Sequence, residues 1–211
     1  MTAPGVALLL PGGTPRSTHK ASRNGLASLR MRTFQKSLQR AGVDTELVTY
    51  RYRGWNGGDP VPDTVAAIAA VRAARPGAPV VLVGHSMGGR VALRLADEPG
   101  VAAVVVMAPW LPPGEPIAQL QAKTALLIHG DRDRLTDPAR TLSFARAAAG
   151  VSQRIAFVEL RGGEHKLLRR GRAWHDLVRR FTVGESGAGP RDPEIEGWFA
   201  LPAAERSRLP R

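Results

Sequence analysis

Pro79-Val80-Val81-Leu82-Val83-Gly84-His85-Ser86-Met87-Gly88-Gly89-Arg90-Val91-Ala92-Leu93 decides how the rest of the chain reads. Val80–Val83 is a short, continuously apolar, β-branched run, the pattern of a parallel strand buried on both faces. It stops at Gly84, and apolar residues resume with helical spacing from Arg90 to Ala96. Between them stands small-x-Ser-x-small, Gly84-His85-Ser86-Met87-Gly88. A serine at the point of so tight a strand-to-helix turn holds a strained backbone. The residues two before and two after it must be small for strand and helix to pass closely. Such a turn lifts the hydroxyl above the sheet and sets a helix N-terminus beside it, where partial positive charge favours a developing anion.

Working outward, strands and helices alternate. Gly5–Leu10 reads as a first buried strand, ended by Pro11-Gly12-Gly13-Thr14-Pro15. Ser28–Ala41 carries spaced apolar positions (Leu29, Met31, Phe34, Leu38), a helix stopped by Gly42. Val43–Tyr52 alternates apolar and polar residues as a strand nearer the sheet edge does, and Arg53–Pro60 is loop. Asp63 or Thr64 is placed to cap an Ala-rich helix over Val65–Ala74. Beyond the serine turn, Val101–Met107, Lys123–His129 and Ile155–Leu160 are further strands. Asp137-Pro138 opens a helix to about Ala149, and Ala173–Phe181 is the last helix. The expectation is an α/β fold of about six mainly parallel strands with helices on both faces. It spans residues 1–183, and Gly184–Pro190 opens a flexible tail, 184–211, with Trp198–Leu201 as its one anchor.

Composition narrows the chemistry. The 211 residues suffice for one sizeable core. Without cysteine there is no disulfide, thiolate metal site or cysteine nucleophile. No metal constellation and no cofactor motif stand out. The first apolar run is too short for a signal-peptide core or a membrane span, so a cytoplasmic protein without a membrane partner is expected. The net charge of +12 invites an anionic partner. Arginine far outnumbers lysine and no Arg-aromatic module of a nucleic-acid binder is present, so no nucleic-acid partner is expected.

A serine hydroxyl needs a base, and the base an orienting acid. In open α/β sheets such groups collect just after strands. Asp131 and Asp133 follow one strand, in His129-Gly130-Asp131-Arg132-Asp133, and His165 follows the last, in Gly162-Gly163-Glu164-His165. The serine turn and the order Ser…Asp…His resemble the α/β-hydrolase superfamily, in particular its small esterases and dienelactone-hydrolase-like members. That resemblance implies an α/β-hydrolase fold and a catalytic triad of Ser86, Asp133 and His165. Asp133 takes the acid's place in a His-Gly-x-x-Asp stretch; the competitor Asp131 has loop amides to bond. It also implies an oxyanion hole made by the N–H of Met87 and one from the loop after the first strand. Relatives often carry His-Gly there. Pro11 replaces that histidine, leaving Gly13 as first choice and Thr14 as runner-up.

The interval from Ala108 to Ile117 contains four prolines and leaves no room for a helical lid, so a site without a cap domain is expected. Trp110 is expected as an apolar wall of the substrate pocket, with Thr14 beside it, and Trp55 with Arg51 and Arg53 near the mouth. Together with Arg16 and Lys20 these charges either favour an anionic substrate or are simply solvated. The implied partner is a small-molecule ester, hydrolysed through an acyl-enzyme. A thioester or an acyl acceptor is the alternative, and a non-catalytic ligand binder on the same fold the reading from another class. Oligomeric state is left open.

Overall fold

The computed structural model describes residues 4–152 and 154–211. Its strands are β1 (Val6–Leu10), β2 (Asp44–Leu47), β3 (Val80–His85), β4 (Val101–Met107), β5 (Thr124–Gly130), β6 (Ile155–Leu160) and β7 (Leu209–Pro210). Its helices are α1 (Leu26–Arg40), α2 (Pro60–Ala74), α3 (Met87–Arg94), α4 (Pro138–Ala148), α5 (Gly171–Glu185), α6 (Pro193–Ala200) and α7 (Ala203–Arg206). The strands form one sheet in the order β2-β1-β3-β4-β5-β6-β7, every neighbouring pair parallel.

Alternation along the strands builds two cores. Leu8, Leu82, Val104, Leu127 and Phe157 face α2, α3 and α4. Leu9, Val83, Val105, Ile128 and Val158 face α1, α5 and α6. Because both faces are covered, the strands read as unbroken apolar runs. β1 and β3 lie side by side, but the chain leaves them for opposite faces, through α1 and through α3 respectively. The crevice above their carboxyl ends is the place where open α/β sheets bind ligands. Among the described residues, no helix is long and apolar enough to cross a membrane.

Four features differ from the sequence expectations. β2 stops at Leu47 rather than Tyr52. After Val48 N–H bonds the Leu9 carbonyl (3.0 Å), the chain leaves the sheet, and Tyr52 and Gly54 bridge instead to Lys20 and Thr14 of the loop after β1. α2 starts at Pro60, whose fixed φ suits a first helical turn. Asp63 is therefore not a cap: it accepts from Arg51 N (2.8 Å) and Nε (2.6 Å), and Thr64 Oγ1 donates to the Pro60 carbonyl (2.8 Å).

The sheet has seven strands where about six were expected, and residues 184–211 do not read as a tail in the structure. They carry α6, α7 and β7, with Ile195 and Phe199 buried against the sheet. Ion pairs join this segment to the body. Arg154 reaches Glu185 and Glu196 (both 2.9 Å), and Arg180 reaches Asp192 and Glu194 (2.7 Å to Glu194). Arg206, itself buried, donates to the carbonyls of Ala149 (2.8 Å) and Ser152 (3.1 Å).

Between β4 and β5 there is only a single short helical turn, Ala118–Leu120, and no cap. The proline-rich connection is pinned by Glu115, whose buried carboxylate pairs with Arg90 and with Arg94 (Nε, 2.9 Å) of α3.

Candidate active site

Ser86 stands between β3 and α3 at φ 54°, ψ −116°, a strained conformation for a residue with a side chain. The neighbours show why the turn tolerates nothing larger. A Cβ on Gly84 would run into the backbone of Gly88 and Gly89, and one on Gly88 into the carbonyls of Leu10 and Pro11. The strained residue is held by its own backbone: Ser86 N–H donates to the Met107 carbonyl (3.0 Å). Its carbonyl accepts from Gly89 (3.0 Å), Arg90 (3.2 Å) and Trp110 (3.1 Å).

The loops after β5 and β6 deliver the other two groups. His165 Nε2 lies 3.1 Å from Ser86 Oγ, and His165 Nδ1 lies 2.8 Å from Asp133 Oδ2. An Nδ1–H donating to the carboxylate leaves Nε2 free to accept the serine proton. Asp133 Oδ2 also takes Thr136 Oγ1–H (2.9 Å) and His129 Nε2–H (3.1 Å), while Oδ1 takes the N–H groups of Leu135 (2.8 Å) and Thr136 (3.0 Å). Desolvation alone would raise the Asp133 pKa. The hydrogen bonds from His129, His165 and the Thr136 backbone outweigh it and hold the carboxyl well below the usual carboxylate range. Asp131 sits apart, its Oδ1 accepting Gly162 N–H at 2.6 Å, the loop-amide role open to it from the start.

The loop after β1 passes against the serine turn. A Cβ on Gly12 would lie 3.3 Å from Ser86 Cβ, and one on Gly13 would strike the Met87 thioether and the Arg53 carbonyl. Thr14 N–H is engaged by that same Arg53 carbonyl at 3.0 Å, so the runner-up donor is already committed. Met87 opens α3, where a backbone N–H has no acceptor within the helix.

Ser86, His165, Gly13 and Thr14 all border one cavity of about 630 Å³. Trp110 is not among the residues that border it. It borders a neighbouring hollow with Trp55 and Pro15–Thr18. It meets Trp55 edge to face at 6.2 Å, and the Arg90 guanidinium stacks over both rings, 3.9 Å from the Trp55 centroid and 4.7 Å from that of Trp110. The position of Trp110 just after a strand places it at the rim of the sheet, where its ring packs with Trp55 and Arg90.

Thr136 and the convergence of five donors on Asp133 were not foreseen from sequence. The one available signal was Asp133-Arg134-Leu135-Thr136, a spacing at which a carboxylate accepts backbone N–H groups two and three residues on. His85 has the structural hydrogen bond expected of it: Nε2–H donates to the His165 carbonyl at 2.9 Å, steadying the loop that carries the imidazole. Burial, with smaller contributions from His165 and Arg30, lowers its pKa from 6.5 to about 3. As pH falls from about 6.5 toward 3 the unfolded chain takes up a proton that the native His85 refuses, so stability drops across that window and not beyond it. The acid-side loss from this group is on the order of 5 kcal/mol at most. Melting temperature measured from neutral pH downward should start to fall near pH 6.5. His85→Gln should make the decline between pH 6.5 and the carboxylate range shallower, His175, also lowered by burial, keeping a share of it; an unchanged acid limb in that variant contradicts the assignment.

A seven-stranded parallel sheet, a serine at a strained strand-to-helix turn and an uncapped β4–β5 connection define a lidless α/β-hydrolase fold. A model of the alpha/beta hydrolase family matches residues 7–211, and the chain belongs to that family. No curated protein matches it. Among solved structures it is similar to an esterase from Pyrococcus furiosus, with a TM-score of 0.70 and 18% identity over 88% of this chain and 85% of that one. It is also similar to a serine hydrolase without a lid from Xanthomonas campestris (TM-score 0.63, 21% identity, 89% and 83% covered). A third is a serine hydrolase homologue from Coxiella burnetii (TM-score 0.65, 20% identity, 85% and 86% covered).

Proposed function

We propose that this protein hydrolyses small carboxylic esters through a covalent acyl-enzyme on Ser86. The observation that carries the reading is the unbroken chain of contacts Ser86 Oγ–His165 Nε2 (3.1 Å) and His165 Nδ1–Asp133 Oδ2 (2.8 Å), bordering an open cavity. Ser86 Oγ attacks the carbonyl carbon as its proton passes to His165 Nε2. Asp133 keeps the imidazole in the accepting tautomer and stabilises the imidazolium that forms. The carbonyl oxygen, now carrying the charge, is met by the N–H groups of Met87 and Gly13. His165 returns its proton to the leaving alkoxide, the C–O bond breaks, and the alcohol departs. Water then attacks the acyl-enzyme with His165 as base, releasing the acid and restoring Ser86.

The match to esterases of low identity supports the ester class, and the missing cap supports a substrate reached from solvent. A chain-length series of activated esters and thioesters, with Ser86→Ala as blank, tests this. Ester turnover above that blank, with a burst of released alcohol at short times, is the expected result. Thioester turnover exceeding that of the matched ester would move the protein to the thioesterase reading, and turnover equal to the blank would leave a ligand binder.

A further inference from the structure

Three cationic side chains, Lys20, Arg30 and Arg53, border the cavity that holds Ser86 and His165, and no carboxylate borders it among the described residues. Elsewhere some arginines are paired with carboxylates, while others, Arg16, Arg32 and Arg72 among them, carry no such pair among the described residues. Arg51 has Asp63, Arg90 and Arg94 share Glu115, Arg154 has Glu185 and Glu196, and Arg180 has Asp192 and Glu194. Among the described residues, none of the three cavity cations has such a partner.

Arg30 is the informative one, and its sequence position gave no hint of it. It lies on α1, one turn beyond Leu26 and Ala27, which border the same cavity. Its Nε–H donates to the Lys166 carbonyl at 3.0 Å, next to His165 on the same loop. That bond fixes the guanidinium plane and leaves the four N–H groups of its two terminal nitrogens for another acceptor. The side chain is half-buried, and burial pulls its pKa down. A partly desolvated cation without an internal counter-ion gains more from an arriving anion than a solvated one does. Leu26 (82% exposed) and Leu135 (72% exposed) add apolar surface at the same mouth.

The geometry points to an anion subsite beside Ser86: the substrate is an ester with a short apolar portion and an oxyanion, carboxylate or phosphate, received by Arg30 with Lys20 and Arg53 adding attraction at longer range. This rests on the hydrolase reading above and narrows its substrate class.

Two measurements separate the subsite from the hydrolysis. In the first, the 4-methylumbelliferyl esters of glutaric acid, with one carboxylate free, and of valeric acid are compared; leaving group and acyl length are the same. The expected kcat/KM favours the glutarate ester by about tenfold or more at low ionic strength, an advantage that added salt shrinks. Arg30→Gln should bring the ratio toward one, and because the ratio is the readout, a general loss of activity cancels. Arg16→Gln, in the neighbouring hollow, should leave the ratio intact. Equal kcat/KM for the two esters, or a ratio that survives Arg30→Gln, overturns the subsite while leaving ester hydrolysis standing.

In the second, Ser86→Ala protein is titrated calorimetrically with monomethyl glutarate and with monobutyl phosphate, a readout that needs no turnover. Binding of either, lost on adding Arg30→Gln, supports the subsite, and the tighter of the two names the oxyanion. Binding of neither, or binding indifferent to Arg30→Gln, overturns it.

Discussion

Ser86→Ala is expected to lower kcat on an activated aryl ester by a factor on the order of 10⁵–10⁶, with the fold intact. The hydroxyl removed is the one group 3.1 Å from His165 Nε2, so without it only water remains as nucleophile. Alanine has little more difficulty than serine at φ 54°, and the backbone bonds that hold the turn do not involve Oγ. Stability should therefore stay within about 1 kcal/mol of the natural chain. His165→Ala should bring a loss of the same order, because base and nucleophile act as a unit. For that reason the double variant should be hardly slower than either single one, and the cycle of rates checks it. Losses that multiply in the double variant would mean that the two side chains serve different steps.

Asp133→Asn is expected to lower kcat by about 10⁴-fold while Asp131→Asn changes it by no more than a few-fold. Five donors converge on the Asp133 carboxylate, three on Oδ2 and two on Oδ1. An asparagine amide offers only one oxygen. Whichever way it is turned, its NH₂ faces groups that are themselves donors. With the amide nitrogen toward His165, the imidazole is driven to the tautomer that carries its proton on Nε2, and Ser86 loses its acceptor. With the nitrogen toward Leu135 and Thr136, two backbone N–H groups are stranded, a loss of about 1–3 kcal/mol of stability. Kinetics and thermal melts of the two variants side by side check the assignment. Equal losses in both, or the larger loss in Asp131→Asn, would give the acid's role to the wrong residue here.

What was legible in the sequence was local or steric. Val80–Val83 and Val104–Val106 read as buried parallel strands because side chains covered on both faces leave no place for polar alternation. The serine turn was legible because a Cβ on Gly84 would meet the backbone of Gly88 and Gly89, a constraint within a few residues of Ser86 that leaves its mark in the sequence, while Gly88 is demanded by the Leu10 and Pro11 carbonyls at the end of β1. Asp137-Pro138 marked the start of α4 for the same reason, and Asp137 does cap it, accepting Ala139 N–H at 2.9 Å.

What escaped depended on partners distant in the chain. Val48 and Tyr50 follow β2 directly and are buried, yet the chain has already turned from the sheet to bridge the loop after β1. The terminal segment is fixed by Arg154 and Arg180 through ion pairs to Glu196, Asp192 and Glu194. Its apolar anchors, Ile195 and Phe199, are too few to announce a packed helix, and β7 is two residues long. For the candidate site, the strand ends told which residues share a rim. Only the fold told which cavity each one borders: Thr14 and Arg30 that of Ser86, Trp110 and Arg16 the hollow beside it.

The most direct measurement is treatment of the purified protein with a fluorophosphonate, followed by intact-mass analysis and peptide mapping. An alcohol activated by His165 should gain one phosphonyl group per chain, located on Ser86, and His165→Ala should slow that labelling by orders of magnitude. No adduct, or an adduct on another side chain with Ser86 unmodified, would contradict the account at its centre.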